Sequence, residues 1–336
     1  MSDEPLSAAP TATEPRQGWF RLALVLSVLL MLAVVIMLPL AIRSMEDVLG
    51  RTSAPLYNMV SGELMTRSAA QTAQENAFYA NIGVVALDEV AGEVTLAISG
   101  NRFCTSTCWS ETITVTSLDN DADERRGVPP FASIVLNTTD RVFSESLQLP
   151  VQGRPTLYPF DVYRLGLGLS IEASPEDGSQ VTVDPRLLEE RHATITLQNR
   201  LPDLLMESPR TMDPATMQTE TSPFEYMAVQ ELDFKRPAYL RILAVIIILL
   251  IGVSAGMALF TRGIDDLTLG FGGLILGVWG VRSVLMPQSL GTVTVIDLAL
   301  SWIILLLLLG LTFRGALYFH RRSGLPWSRP KPPTAS

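Results

Sequence analysis

The sequence predicts a membrane protein of mixed class, with membrane α-helices plus an extracytoplasmic all-β domain. An antiparallel β-sandwich is inserted between transmembrane helix 1 and a bundle of transmembrane helices 2–4. Three observations carry this. Ala238 to Phe260, Leu267 to Met286 and Val293 to Phe319 are apolar runs separated by short connections, and a bilayer core of about 30 Å takes roughly 20 apolar residues in a helix. A fourth apolar run, Leu22 to Ile42, stands alone near the amino terminus, interrupted only by Pro39. Between them, from Phe78 to Pro237, the apolar residues alternate with a period of two. That is the spacing of strands with one face in a core and one in water.

Composition agrees with a mixed protein. The 336 residues are 48% hydrophobic, with a mean hydropathy of +0.29. The first apolar run is longer than the usual core of about 7 to 15 residues in a cleaved signal peptide. Ile42, Arg43, Ser44 and Met45 after it give no small-x-small cleavage site. It is therefore expected to stay as a signal anchor.

Orientation follows from basic residues beside the spans. Arg321, Arg322, Arg329 and Lys331 follow the last run without an acid, and Arg16 and Arg21 precede the first. Both termini are expected in the cytosol, and Arg43 to Pro237 outside, in a plasma (cell) membrane. That exported segment carries 28 acidic and 15 basic residues, a net charge of −13. Such a surface does not bind nucleic acid.

Taken in order, residues 1–18 are rich in Pro, Ala, Thr and Glu with no apolar period and are expected to form a disordered cytosolic arm. Trp19 and Phe20 mark the interface before transmembrane helix 1, within residues 19–42. Residues 43–77 are expected to be an extracytoplasmic tether with one helix around Glu63 to Ala77. Residues 78–237 form the sandwich. Its strands are expected at Tyr79 to Leu87, Glu93 to Ser99, Glu111 to Leu118, Phe131 to Thr138, Val162 to Ile171, Gln180 to Val183, Ala193 to Leu197 and Glu225 to Phe234. Turn signals lie between them, such as Ala91-Gly92, Asp119 to Asp123, Pro129-Pro130 and Asp177-Gly178. The remaining spans are residues 238–260, 267–286 and 293–319, with 320–336 as a Pro-rich cytosolic tail.

Cys104 and Cys108 are the only cysteines. In an oxidising compartment a pair this close is expected to form a disulfide that pins a turn. A metal site would need two more ligands, and His192 is the only exported histidine. Asp119, Asp121 and Asp123 alternate like the opening of a calcium loop. Glu124 then stands where that loop turns on Gly, and Pro130 where it ends on a bidentate Glu. A solvated acidic turn is the simpler expectation, with calcium the alternative. Asn137-Thr138-Thr139 is a formal glycosylation sequon. No nucleophile elbow, zincin, Walker or dinucleotide motif occurs, so neither a catalytic residue nor a cofactor is expected.

Two intramembrane features stand out. Gly270, Gly272, Gly273, Gly277 and Gly280 make transmembrane helix 3 a small-residue helix, and Gly273 with Gly277 is a GxxxG pair. That pattern serves packing inside one subunit or assembly with a copy or a membrane partner. Arg282 and Asp297 lie at similar depths on either side of the turn between the last two spans. Charges inside spans usually find a partner, so these two are expected to pair.

The exported motif richest in information is Tyr158-Pro159-Phe160-Asp161. It reads as a structural corner in which Phe160 plugs the end of the sandwich and Asp161 caps backbone donors. This motif, with Val281-Arg282, Pro287, Gly291, Asp297 and Trp302, resembles an uncharacterised family of bacterial four-span membrane proteins. The resemblance runs from Phe78 to Phe319 and implies a plasma-membrane location without an established activity. A second resemblance is to pentameric ligand-gated channels, which carry an aromatic-Pro-x-Asp loop and a basic-basic-Pro lead into their first span. Phe160-Asp161 and Lys235-Arg236-Pro237 echo these. The sequence departs from that family in its extra amino-terminal span, in cysteines that do not flank the loop, and in having no further span after Phe319. Its helix 3 carries glycines where a pore helix has a polar stripe, with Thr268, Ser283 and Thr292 as the polar candidates for a lumen.

The expected function is therefore non-enzymatic: an acidic extracytoplasmic domain that binds, senses or scaffolds an unknown ligand, held in a lipid bilayer. The alternatives are a ligand-gated channel-like oligomer and, third, a membrane-anchored enzyme.

Overall fold

The structure is a computed structural model that describes residues 16–49, 54–104, 108–118, 128–175, 179–214, 224–261, 264–286 and 291–322. Its helices are α1 (Arg16–Leu49), α2 (Arg67–Gln74), α3 (Pro185–Glu190), α4 (Ala238–Thr261), α5 (Ile264–Leu285) and α6 (Val295–Arg322). Its strands are β1 (Leu56–Asn58), β2 (Phe78–Asp88), β3 (Glu93–Arg102), β4 (Ser110–Ser117), β5 (Phe131–Leu136), β6 (Val142–Pro150), β7 (Gln152–Gly153), β8 (Val162–Ser174), β9 (Val181–Thr182), β10 (Ala193–Asn199), β11 (Leu205–Met206), β12 (Arg210–Met212) and β13 (Ala228–Lys235). The chain divides into a helical unit and a β unit, the latter running from Ala41 to Arg241 together with Pro287–Val295.

In the helical unit, three helices among the described residues are long and apolar enough to cross a membrane: Ser27–Glu46, Ala238–Leu259 and Val295–His320, with mean hydropathies of 2.4, 2.9 and 2.4. The β unit's strands lie in sequence between the first of these and the other two. A fourth long helix, α5, has 22 residues and carries Asp265, Asp266 and Arg282 within its length. Glycine packing is found where the sequence did not point. Gly310 of α6 is pressed against the Leu259 side chain of α4, and a methyl on Gly252 would stand 3.7 Å from Ile303. Gly272, Gly273, Gly277 and Gly280 of α5 meet nothing within 4 Å. So the glycine face of α5 is not a packing surface within the described chain.

The β unit is two sheets face to face. One has the order β1-β10-β2-β3-β6, the other β11-β13-β8-β4-β5, with β12 on β13 and β7 and β9 on β8. Alternation decides which side chains go inside. Ile82, Val84, Leu96 and Ile98 from the first sheet and Val115, Leu165, Leu167 and Leu169 from the second are fully buried. Such interdigitated branched side chains remove apolar surface from water at about 25 cal/mol per Å². The pairing is mostly antiparallel, with one departure from the expected sandwich: β10 runs parallel to β2, Thr196 opposite Asn81. Parallel neighbours need a long crossover, and here the crossover is nearly the whole domain.

Three expectations are corrected. The strand β6 was missing from the alternation, because its Ser144-Glu145-Ser146 centre is exposed and polar. Part of the stretch read as a tether is domain: β1 pairs with β10, Met59 is fully buried, and the Gln230 amide donates to the Met59 carbonyl at 3.0 Å. The helix expected at Glu63 to Ala77 is shorter, because the Thr66 hydroxyl caps α2 by accepting from Ala69 N.

Candidate functional site

The site forms where β13 gives way to α4. Arg236 and Pro237 are the only residues between the two elements, and Arg236 points inward with 2% of its surface exposed. Pro237 fixes its own backbone and biases Arg236 to an extended conformation. Two loops bring carboxylates to it. Asp161, 1% exposed, accepts from Arg236 Nε at 3.2 Å. Glu89, in the β2–β3 turn, accepts from Arg236 Nη2 through Oε1. The Asp88 side chain shapes that turn by accepting from Val90 N and Ala91 N at 3.0 and 2.8 Å.

Two tyrosines complete the cluster. The Arg236 guanidinium lies 4.9 Å from the centre of the Tyr158 ring, a cation–π distance. Tyr163 donates its hydroxyl to Glu89 Oε2 at 3.1 Å. Burial pushes the Tyr163 phenol well above its ordinary range, and the neighbouring charges of Glu89 and Asp161 push it further. Burial also raises Tyr158, with Arg236 opposing it. For Arg236, burial works against the charge, but Asp161 and Glu89 outweigh it and hold the guanidinium protonated. A buried cation is stable only when paired and hydrogen-bonded, and here two loops and one strand end supply the partners.

The Tyr158-Pro159-Phe160-Asp161 corner thus works differently from the expectation. The peptide bond before Pro159 is cis. Tyr158 is the buried plug, whereas Phe160 is 47% exposed. Asp161 pairs with the Arg236 side chain just beyond the end of β13; capping of backbone donors is not its contact among the described residues. Beside Glu89 lies an open cleft of about 580 Å³ bounded by Ala86, Asp88, Val90, Glu93, Gln148 and Gly291.

A second buried ion cluster sits at the opposite end of the strands, where β3 ends and β4 begins. Glu111, 1% exposed, is held between Arg102 Nη1 at 3.4 Å and Arg191 Nη2 at 2.6 Å. Arg102 also donates to the Asp140 and Trp109 carbonyls at 2.8 Å, and Arg191 covers the Trp109 ring at 4.6 Å. Nothing in the sequence singled these residues out. Glu111 sits in phase with the apolar residues of β4, and that is the one signal of its burial.

Of the other candidate residues, Cys104 and Cys108 are joined by a disulfide with Cα atoms 5.4 Å apart. In the helical unit Arg282 Nε donates to Asp297 Oδ1, and the guanidinium also lies 5.8 Å from the Trp279 ring. Asp119, Asp121 and Asp123 lie outside the described residues. Among those that are described, no three His, Cys, Asp or Glu side chains converge as metal ligands. His192 is exposed in a left-handed turn after α3. Of the lumen candidates, Ser283 donates to the Gly280 carbonyl at 2.7 Å, Thr292 is half-buried, and the Thr268 side chain lies outside the description.

The chain matches no protein-family model and no curated protein. The functional argument therefore rests on its own geometry.

Proposed function

We propose that this is a non-enzymatic, multi-pass plasma-membrane protein. Both termini lie in the cytosol, and the acidic sandwich outside binds or senses a ligand or partner. In this reading α5 is the third of four spans and assembles the protein with a copy of itself or a membrane partner. The observation that carries it is the Arg236 cluster. A single guanidinium, two residues ahead of an apolar helix, is gripped by the β2–β3 turn and the Tyr158–Asp161 corner. A ligand that shifts either loop changes the surroundings of the residue that leads into the helix. Such coupling needs the ligand to bind the two arrangements with different affinity. The matching experiment screens small cations, amines and acidic or basic peptides against the thermal unfolding of the full chain in nanodiscs. A binder should raise the midpoint in wild type, and Arg236→Gln should uncouple that rise from any change in helix mobility. Protease added to intact cells should remove the sandwich and spare an epitope at Ser336.

A second reading is a ligand-gated pore. It is favoured by one specific contact, the pairing of Asp161 with Arg236, since these belong to the two motifs that resemble pentameric ligand-gated channels. Ion flux in liposomes and the mass of the detergent-solubilised complex separate the two readings. A pentamer with ligand-dependent flux selects the pore.

A further inference from the structure

We infer that the Arg236 end of the sandwich is a membrane-contact surface, with Val90, Leu157 and Phe160 seated in the headgroup layer of the bilayer. This rests on the reading of α4 as a transmembrane helix. Val90 is 55% exposed, Leu157 41% and Phe160 47%, and their placement is common. Val90 follows Glu89 and Phe160 precedes Asp161, the two carboxylates that grip the same guanidinium. Leu157 is tied to Phe160 by a 2.8 Å backbone hydrogen bond. All three therefore flank Arg236, and α4 begins two residues later at Ala238.

Three large exposed apolar side chains that flank one buried ion cluster call for an occupant. Proximity names lipid. A surface within a few residues of where an apolar helix starts is held at the bilayer interface, where apolar side chains can sit about 5–10 Å into the headgroup and acyl boundary. Local charge agrees. Arg154, exposed on the same corner, suits lipid phosphates, while Glu89 and Asp161 are turned inward onto Arg236. Asp88 and Asp203 are the exposed acids nearby, and they favour a zwitterionic lipid over an anionic one. The corner is also built to hold its position, since its turn is hydrogen-bonded from Arg154 to Phe160 and its base is the buried ion cluster.

The two native cysteines are disulfide-bonded, so a single introduced thiol can carry a nitroxide label in the full chain. The variants are Phe160→Cys and Val90→Cys, with Val142→Cys as the aqueous reference and Leu249→Cys within α4 as the lipid reference. Val142 is 78% exposed and Leu249 45%. Each is reconstituted into phosphatidylcholine liposomes, and accessibility to oxygen is compared with accessibility to a water-soluble nickel chelate. Labels at 160 and 90 should give an oxygen-to-nickel ratio several-fold above the label at 142 and approaching that at 249. A ratio at 160 equal to that at 142, with 249 still lipid-like, overturns the contact alone. A label at 160 that is immobilised and shielded from both reagents also overturns it, and assigns the corner to a protein neighbour. If 249 itself reads as aqueous, the membrane reading of α4 falls first.

Discussion

Arg282 of α5 and Asp297 of α6 stand fifteen residues apart and meet guanidinium to carboxylate. Asp297 lies in the first turn of α6, where a negative charge also suits the helix dipole. Arg282→Asp and Asp297→Arg should each lower the folded yield in membranes, because each sets two like charges together where an ion pair stands, a loss that is larger if α5 spans the bilayer as proposed. The double swap should restore part of it, because it re-forms the pair with the charges exchanged. Western quantification of membrane-inserted protein gives the three yields, and a double mutant as poor as the two losses combined means the pair contributes nothing.

Asp161→Ala should cost roughly 3 kcal/mol of stability, the lower end of what breaking a buried ion pair costs, because Glu89 still faces Arg236. Removing both carboxylates should leave a folded domain only if Arg236 is replaced by an apolar residue as well. Chemical denaturation of these three variants and the wild type in detergent tests this. Equal stability of Asp161→Ala and wild type would mean the 3.2 Å contact is idle.

Glycine substitutions should sort by location. At Gly100 a methyl group would stand 2.6 Å from Phe143 Cζ and press on the Tyr79 carbonyl, so Gly100→Ala should destabilise by about 1–3 kcal/mol as overpacking does. At Gly273 nothing lies within 4 Å, and Gly273→Ala should change the unfolding midpoint little. Gly273→Leu should instead reduce the mass of the solubilised complex if α5 is its assembly face.

Tyr163 gives a pH signature. Its phenol is raised above the ordinary 10.0 in the folded protein, so the folded state favours the neutral form. The stabilisation is complete below about pH 10 and is lost as pH rises from there toward the folded value. Alkaline unfolding should begin near pH 10, and Tyr163→Phe should shift it upward while giving up the hydrogen bond to Glu89.

The helices could be read from the sequence because a bilayer demands long apolar runs, and Ala238 to Phe260 differs from α4 by one residue. Strands with one face buried were also legible, since Glu93 to Ser99 lies within β3 and Val162 to Ile171 within β8. What escaped was set by tertiary contact. β1 is three residues long and exists because β10 is there to pair with it. The site was half visible: Tyr158 to Asp161 and Lys235 to Pro237 stood out as motifs. Glu89 did not, because an acid in a turn is ordinarily solvated. Phe160 was misassigned for a related reason, since a large aromatic beside a proline looks like core when its surroundings are unknown.

The parallel pair of β2 and β10 imposes an order in time. In the first sheet β10 lies between β1 and β2, and Thr196 bonds to Asn81 across 115 residues of chain. As the chain is made, β2, β3 and β6 can pair with one another in the first sheet. β1 has no strand to join until β10, ending at residue 199, has been made. Non-local pairing of this kind closes last and slowly. The three-residue β1 therefore waits for almost the entire domain to be made, and an arrest of synthesis before β10 would leave a half-sheet with an open β2 edge.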